Sequence, residues 1–403
     1  MGPTRLRIAI ASSGLGHVNR GIEAWAADLA TALAERAEDV VLYKGGGTAG
    51  PGEVVLPCWQ RNSERTQRLL RWVTPRWGWR LGLGTDYGVE QVSFAVQLIR
   101  QLRYRPADIL HLQDAQVARL LDGARKLGLL PTATVLAHGT NEPWQFLANF
   151  DYVQHLAPWH LEQGRLVGCW KPTWTTLPNF IDTRRFHPGS SETLRQELGI
   201  PRDHVIVLTA SAIKRQHKRI DHLLEEFGRL RDQDSQLPVT LVVAGGWEAD
   251  TPALIELGRQ RLGDQVRFLV RFPRERMPEL YRLADIFVLC SLREMMPIAL
   301  LEATASGLPC VVHDHPILTW ITGPGGVVTD MEVPGRLAAV LATLCRNGTQ
   351  REGLRRLSRH HCEANFSCPA VLARILDYYR IVHVHNQGRR ASRKGVLALS
   401  SPE

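Results

Sequence analysis

Seven cysteines are scattered through the 403 residues, and no two of them form a C-x-x-C pair. An odd, scattered set suits a reducing cytosol better than an exported protein. No apolar run approaches the roughly 20 residues that a spanning helix needs. The short run 5–12 is too brief for the apolar part of a signal peptide and reads as a first strand. No RNA- or DNA-reading motif stands out, so nucleic acid is not an expected partner. A complete G-x-G-x-x-G is also missing, because Gly14-Leu-Gly16 is followed by Asn19 where the third glycine belongs. A hydride-transfer site therefore finds no support. Metal ligands are equally sparse. Asp232-Gln-Asp234 falls at the polar end of a helix, and His313-Asp-His315 has no obvious further ligand, so no metal is expected.

What is present points to a large α/β protein. The chain is too long for one ordinary core, and two domains are the natural division. Hydrophobic residues at 44% and charged residues at 22% give the profile of a soluble globular enzyme rather than a disordered chain. A net charge of +9 favours anionic partners without choosing among them.

Strand and helix signals alternate along the first half. Residues 7–12 form a compact apolar strand, 14–17 a glycine turn, and 21–36 an amphipathic helix with Ile22, Trp25, Ala26, Leu29 and Leu33 at helical spacing. Further strands are expected at 40–43, 54–57, 108–112 and 134–137, with helices at 89–103 and 120–127. Proline, asparagine and aspartate cluster at 177–188, which suits a linker. The pattern then restarts, with strands at 205–208, 239–244, 266–270, 286–289 and 310–312. Alternation of this kind implies parallel, doubly wound sheets. The expected division is a first domain over 1–180, a second over 181–368, a crossover helix over 369–386 returning to the first domain, and a basic disordered tail over 387–403. Two such domains would face each other across a cleft lined by the carboxyl ends of their strands.

The chemistry concentrates at Glu294 and Glu302. A buried strand ends, a loop carries Glu294-Met295-Met296, Pro297 opens a helix, and Glu302 lies over a turn inside it. A carboxylate can hold the diol of a ribose, and a helix N-terminus can hold a phosphate. Carboxylates beside a diphosphate repel it, at about 4 kcal/mol for each contact at about 4 Å and an effective dielectric near 20. A cation is required. Lys214-Arg-Gln-His-Lys218-Arg-Ile-Asp221 supplies a basic loop on the same carboxyl-end rim.

These residues resemble the donor-binding domain of the GT-B glycosyltransferases of family four, which retain stereochemistry and use nucleotide sugars. Glu294 and Glu302 match that family's pair of glutamates with seven residues between them, and Lys218-Arg-Ile-Asp221 is similar to its Lys-Gly-x-Asp segment. Leu177-Pro-Asn179 and Asp182 to Pro188 resemble its interdomain segment, Ala137-His138-Gly139 its first-domain histidine turn, and Gly14-Leu-Gly16 its glycine turn. The likeness is strong over 177–312 and weaker before it. It implies a GT-B fold and transfer of a hexose from a nucleotide-diphosphate sugar to an acceptor hydroxyl, with no cofactor and no metal. By the same resemblance Glu302 binds the ribose, Glu294 the transferred sugar and Lys218 the phosphates. His138 sits by the reacting sugar, Gly14 and Gly16 approach the diphosphate, and Asp221 caps or braces the loop. Two departures stand out. Position 212 is alanine where the family usually has arginine, leaving Lys214 as a substitute, and Met295-Met296-Pro297 replaces Gly-Phe-Gly.

The acceptor, the base and the sugar are not named by these residues. The segment from Trp59 to Arg80 carries Trp59, Trp72, Trp77 and Trp79 among arginines. It suits an anionic membrane interface, an acceptor-binding lip, or packing around a long loop. The expected location is cytoplasmic, with peripheral membrane contact under the first of these readings. A nucleotide-sugar epimerase on the same fold and a non-enzymatic basic membrane-binding protein are the competing readings.

Overall fold

The structure, a computed structural model, describes residues 5–18, 21–36, 38–73 and 82–399. The chain divides into two compact units, Met1–Pro178 with Leu372–Glu403, and Asn179–Val371.

The first unit is built on parallel strands β1 (Arg7–Ser12), β2 (Asp39–Lys44), β3 (Glu53–Val55), β4 (Ile109–Leu112), β5 (Ala133–His138), β6 (Tyr152–His155) and β7 (Thr175–Thr176). Their order is β3-β2-β1-β4-β5-β6-β7. The apolar runs of β1, β4 and β5 are buried on both faces because helices cover both sides of a parallel sheet. Helices Gly21–Glu35, Asp86–Tyr104 and Ala115–Lys126 supply Leu29, Leu33, Phe94, Leu98 and Leu121 to the core. Truncating one of these leucines to alanine costs about 2–5 kcal/mol.

The second unit repeats the plan with β8 (Val205–Ala210), β9 (Val239–Gly245), β10 (Val266–Val270), β11 (Ile286–Leu289), β12 (Cys310–His313) and β13 (Gly326–Thr329). Their order is β10-β9-β8-β11-β12-β13, all parallel. In each sheet the strand order reverses direction once, between β1 and β4 and between β8 and β11. Loops at the carboxyl ends of those neighbours splay apart, and ligands of open α/β sheets sit there.

Several elements differ from the sequence expectation. Strand β6 carries Gln154 and His155, whose polarity hides a strand that is nevertheless buried. Helix Glu64–Val73 lies in an arginine-rich stretch that reads as loop. The basic tail expected to be disordered over 387–403 continues the last helix, Cys368–Leu399, as far as Leu399. Arginine, lysine, alanine and leucine are good helix formers, and extending a helix already nucleated costs far less than starting one. From Leu372 onward this helix belongs to the first unit. It is tied there by Tyr379 Oη to His111 Nδ1 at 2.7 Å, Tyr152 Oη to His385 Nδ1 at 2.8 Å and Asn386 Nδ2 to the Pro131 carbonyl at 3.0 Å.

Candidate functional site

In the second unit, the reversal between β8 and β11 places two loops side by side. The loop after β8 carries the basic stretch 214–219, and the loop after β11 carries Glu294. Lys218 Nζ donates to Glu294 Oε1 in a close ion pair. Both side chains are largely buried, at 18% and 9% exposure, so the pair is shielded from solvent screening. His217 donates through Nε2 to the Arg293 carbonyl at 3.0 Å and lies 3.7 Å from the second Glu294 oxygen. One carboxylate thus organises two consecutive side chains of the basic loop.

The backbone of that loop is unusual. His217 and Arg219 adopt left-handed conformations, with φ of 70° and 51°. Non-glycine residues pay about 1–2 kcal/mol for this, and the surroundings must hold them there. Arg219 donates to the Met331 carbonyl at 3.0 Å, and the Arg215 amide donates to Asp250 at 3.0 Å. Asp221 lies 3.5 Å from Arg215. Among the described residues Lys214 has no ion-pair partner, so it is available to stand for the arginine missing at 212. A concavity of about 750 Å3 is lined by Arg215, His217 and Arg219 but not by Lys218 or Glu294.

Glu302 lies in helix Ile298–Ala305 and is 9% exposed. Tyr281, on helix Met277–Leu283, donates its hydroxyl to Glu302 Oε2 at 2.8 Å. Burial and the neighbouring carboxylate push the Tyr281 phenol well above its ordinary range, so it stays a donor. Its ring is fixed edge-on by Phe186 at 5.8 Å and lies 6.0 Å from Phe287. Sequence reasoning missed Tyr281. The available signal was Tyr281 at helical spacing with Met277, Leu280 and Ala284, a position that buries the ring, because a buried phenol needs a partner. Met296 is buried and Pro297 precedes the first helical residue, with no side chain capping the helix N-terminus.

The residues singled out in the first unit lie at the carboxyl ends of its strands. Gly16 has a φ of +98°, and a Cβ there would overlap the Gly46 carbonyl. Packing of two turns is therefore sufficient reason for this glycine. A Cβ on Gly14 would run into the Glu23 carboxylate. The turn is anchored by Asp114, which accepts from the Ser13 amide at 2.8 Å and from Tyr87 Oη at 2.6 Å. Next to it, Glu90 binds His17 Nε2 at 2.9 Å and Arg61 at 2.5 Å.

His138 ends β5, in register with His155 of β6. The two rings meet through their Nδ1 atoms at 3.0 Å, and His160 packs edge-on at 5.5 Å from His138. Burial pushes His138 and His155 down to about 3, so both are neutral at pH 7. His138 is only 4% exposed. The structure places it among other imidazoles and 3.8 Å from Glu142. Of the tryptophan-rich segment, Trp59 and Trp72 are exposed at 43% and 70%. Trp77 and Trp79 lie outside the described residues.

Among the described residues no group of three or more His, Cys, Asp or Glu side chains is placed to hold a metal ion. His313 and His315 instead accept backbone N–H groups, from Met331 at 3.2 Å and Ile317 at 3.3 Å. No described helix is long and apolar enough to cross a membrane.

Residues 190–361 match the family described as glycosyl transferases group 1. Over 218 residues the chain is 29% identical to D-inositol 3-phosphate glycosyltransferase 1 of Catenulispora acidiphila, covering 52% of each chain. It spans about half the length of the curated relatives it matches. Sucrose-phosphate synthase from Thermosynechococcus elongatus superposes with a TM-score of 0.75 at 18% identity, over 94% of this chain and 100% of that one. Anabaena Alr3699/HepE in complex with UDP-glucose superposes at 0.67 and 15%, over 92% and 98%. The fold is that of the GT-B glycosyltransferases.

Proposed function

We propose that this chain, which carries a glycosyl transferases group 1 domain over residues 190–361, transfers a hexose from a nucleotide-diphosphate sugar to an acceptor hydroxyl with retention of configuration. The observation that carries the reading is the Lys218–Glu294 pair at the β8/β11 reversal. A diphosphate would replace Glu294 as the partner of Lys218 and release the carboxylate to accept hydrogen bonds from the hydroxyls of the sugar. The uncapped N-terminus of helix Ile298–Ala305 offers N–H groups and a positive dipole end to the same anion. Glu302, oriented by Tyr281, is the acceptor for the ribose diol. Lysine and dipole together would stabilise charge growing on the departing diphosphate. The acceptor would attack on the face that the nucleotide leaves, and the leaving phosphate would take its proton. Retention and the sugar-side role of His138 rest on the family resemblance.

The HepE neighbour with UDP-glucose suggests the first donor to try. The purified chain is incubated with UDP-, GDP- and ADP-sugars, and nucleotide release and binding are followed. One donor should bind and turn over. Lys218→Ala should lower kcat/KM about 100- to 1,000-fold, as removal of one preorganised electrostatic partner does elsewhere. Absence of binding with every donor, or unchanged donor affinity in Glu302→Ala, would overturn the assignment.

Peripheral contact with an anionic membrane is a second proposal. Helix Glu64–Val73 presents Arg65, Arg68 and Arg71 on a short amphipathic segment that also exposes Trp72. Sedimentation with vesicles containing phosphatidylglycerol, compared with neutral vesicles, tests it. Equal recovery with both would remove it.

A further inference from the structure

The loop after β8 is tied to the end of β9 and the loop that follows it at alternate residues. The Ser211 amide donates to the Ala244 carbonyl at 3.0 Å, and the Ile213 amide to the Gly246 carbonyl at 3.1 Å. The Arg215 amide donates to Asp250 Oδ2 at 3.0 Å. Thr251 is fully buried, and its hydroxyl donates to the Ile213 carbonyl at 3.0 Å. A Cβ on Gly245 would overlap the Ser211 carbonyl, so the two chains touch where the ties begin. Among the described residues Arg215 is the last to be held in this way. Beyond it the chain turns through left-handed His217 and Arg219. Asp250 thus holds the last amide before the turn that carries Lys218.

Asp250 does this instead of its ordinary work. It is the N-cap of helix Thr251–Leu262, yet its side chain makes no capping hydrogen bond. An N-cap aspartate normally accepts from an amide two or three residues further on. Pro252, two residues on, has no N–H to give, and the carboxylate reaches across 35 residues of chain to Arg215. A charged acceptor binds an amide more strongly than a neutral one. Its charge, however, opposes the binding of phosphate to the nearby Lys214 and Lys218, so what it contributes to an anion site is geometry. Lys214 lies inside the tied stretch. Its amide donates to the Ala212 carbonyl at 3.0 Å, and its carbonyl accepts from the Ile220 amide at 3.3 Å. A loop fixed before the ligand arrives loses little freedom on binding it.

We propose that Asp250 is a positioning residue for donor binding: its bond to the Arg215 amide holds the Lys214–Lys218 span in the conformation that receives the diphosphate. The proposal rests on the donor-binding reading of Lys218. Asp250 touches no ligand itself and acts through the backbone of the basic loop.

The experiment uses the full chain. UDP, GDP and ADP, each alongside its nucleoside, are titrated by calorimetry and ligand-observed NMR. For the diphosphate that binds, Asp250→Ala should weaken affinity about tenfold, or about 1.4 kcal/mol. Affinity for the nucleoside should hold, and so should the urea midpoint, because the side chain caps nothing. Asp250→Asn keeps an acceptor oxygen for the Arg215 amide and should bind the diphosphate within about threefold of the wild type. Both replacements remove the same negative charge, which by itself would favour an anion, so a loss confined to alanine comes from the missing hydrogen bond. Exchange of the Arg215 amide should quicken in Asp250→Ala and stay slow in Asp250→Asn. The proposal fails if Asp250→Ala binds as the wild type does, if the two variants lose affinity equally, or if the nucleoside loses as much as the diphosphate. Diphosphate binding with the expected order of variants, but without turnover of any donor sugar, would retain the positioning role and sink glycosyl transfer. Turnover with an unchanged donor KM in Asp250→Ala would do the reverse. Absence of binding by all three diphosphates would remove both.

Discussion

At the scale of single residues, Tyr281 is the most informative side chain of the second unit. Its hydroxyl fixes one oxygen of a buried carboxylate, and its ring is held by aromatic neighbours that do not depend on that bond. Tyr281→Phe therefore keeps the packing and removes the orientation. Loss of a hydrogen bond to a carboxylate costs about 1.5–3 kcal/mol, and part of it should be felt in donor binding. The expected result is a donor KM raised severalfold with kcat nearly unchanged, and reduced discrimination between a ribonucleotide donor and its 2′-deoxy analogue. A purely structural role would lower stability and leave that discrimination intact. Glu294 and Lys218 were legible as candidates because both fall in loops after buried strands on one carboxyl-end rim and match the motifs of the family the chain resembles. Tyr281 was not, because its partner lies 21 residues away on another helix, and no periodicity encodes a hydrogen bond between elements.

At the scale of elements, the basic loop and the last helix invite different tests. His217 occupies a left-handed conformation without being glycine, so its strain is held by its bond to the Arg293 carbonyl and by the fold of the loop. His217→Gly removes the conformational penalty and the contact together. Stability should change by less than about 1 kcal/mol, while donor KM rises because the loop no longer presents Lys218 in a fixed place. Matched urea curves and donor titrations check both halves, and a large fall in stability with unaltered KM would count against the loop's positioning role. In the last helix the useful contrast is between a buried and an exposed tie. Tyr379 and His111 meet where neither reaches solvent, so Tyr379→Phe should cost about 1–3 kcal/mol. Arg389 pairs with Asp151 at 2.9 Å but is 40% exposed, and Asp151 keeps Arg125 as a second partner, so Arg389→Ala should cost at most about 1 kcal/mol. Urea midpoints of the two variants decide whether burial sets the order. The helix up to about residue 385 was readable from its apolar spacing. Its extension was not, because a run rich in Arg and poor in large apolar side chains looks the same whether it frays or continues a nucleated helix.

At the scale of the molecule, the balance of titrating groups sets how the protein meets acid. His111, His138 and His155 are held neutral by burial, each down to about 3, and His222 and His315 are also lowered by burial. A histidine whose folded value lies below its unfolded value of about 6.5 binds its proton preferentially in the unfolded chain. Its cost to stability is absent above pH 6.5 and grows as pH falls from there towards 3, by about 1.4 kcal/mol per pH unit for each fully excluded imidazole. Asp114 and Glu142 act in the opposite sense, because burial raises their carboxyls and protonation then relieves the folded state. Glu90 and Asp151, lowered by their arginine partners against the opposing effect of burial, begin to lose their contribution only as pH falls below about 4.5. Histidines therefore control the window between pH 6.5 and 5, and there they outnumber the relieving carboxyls. The urea midpoint should hold steady between pH 8 and 7 and then fall steadily to pH 5. In the variant carrying both His138→Gln and His155→Gln the slope over that window should be visibly shallower, since two of the excluded imidazoles are gone. A midpoint flat from pH 7 to 5 in the unaltered chain, or an identical slope in the variant, would show that these rings reach their protons without unfolding. They would then be open to a ligand as well, and the burial of His138 would no longer separate it from a bound sugar.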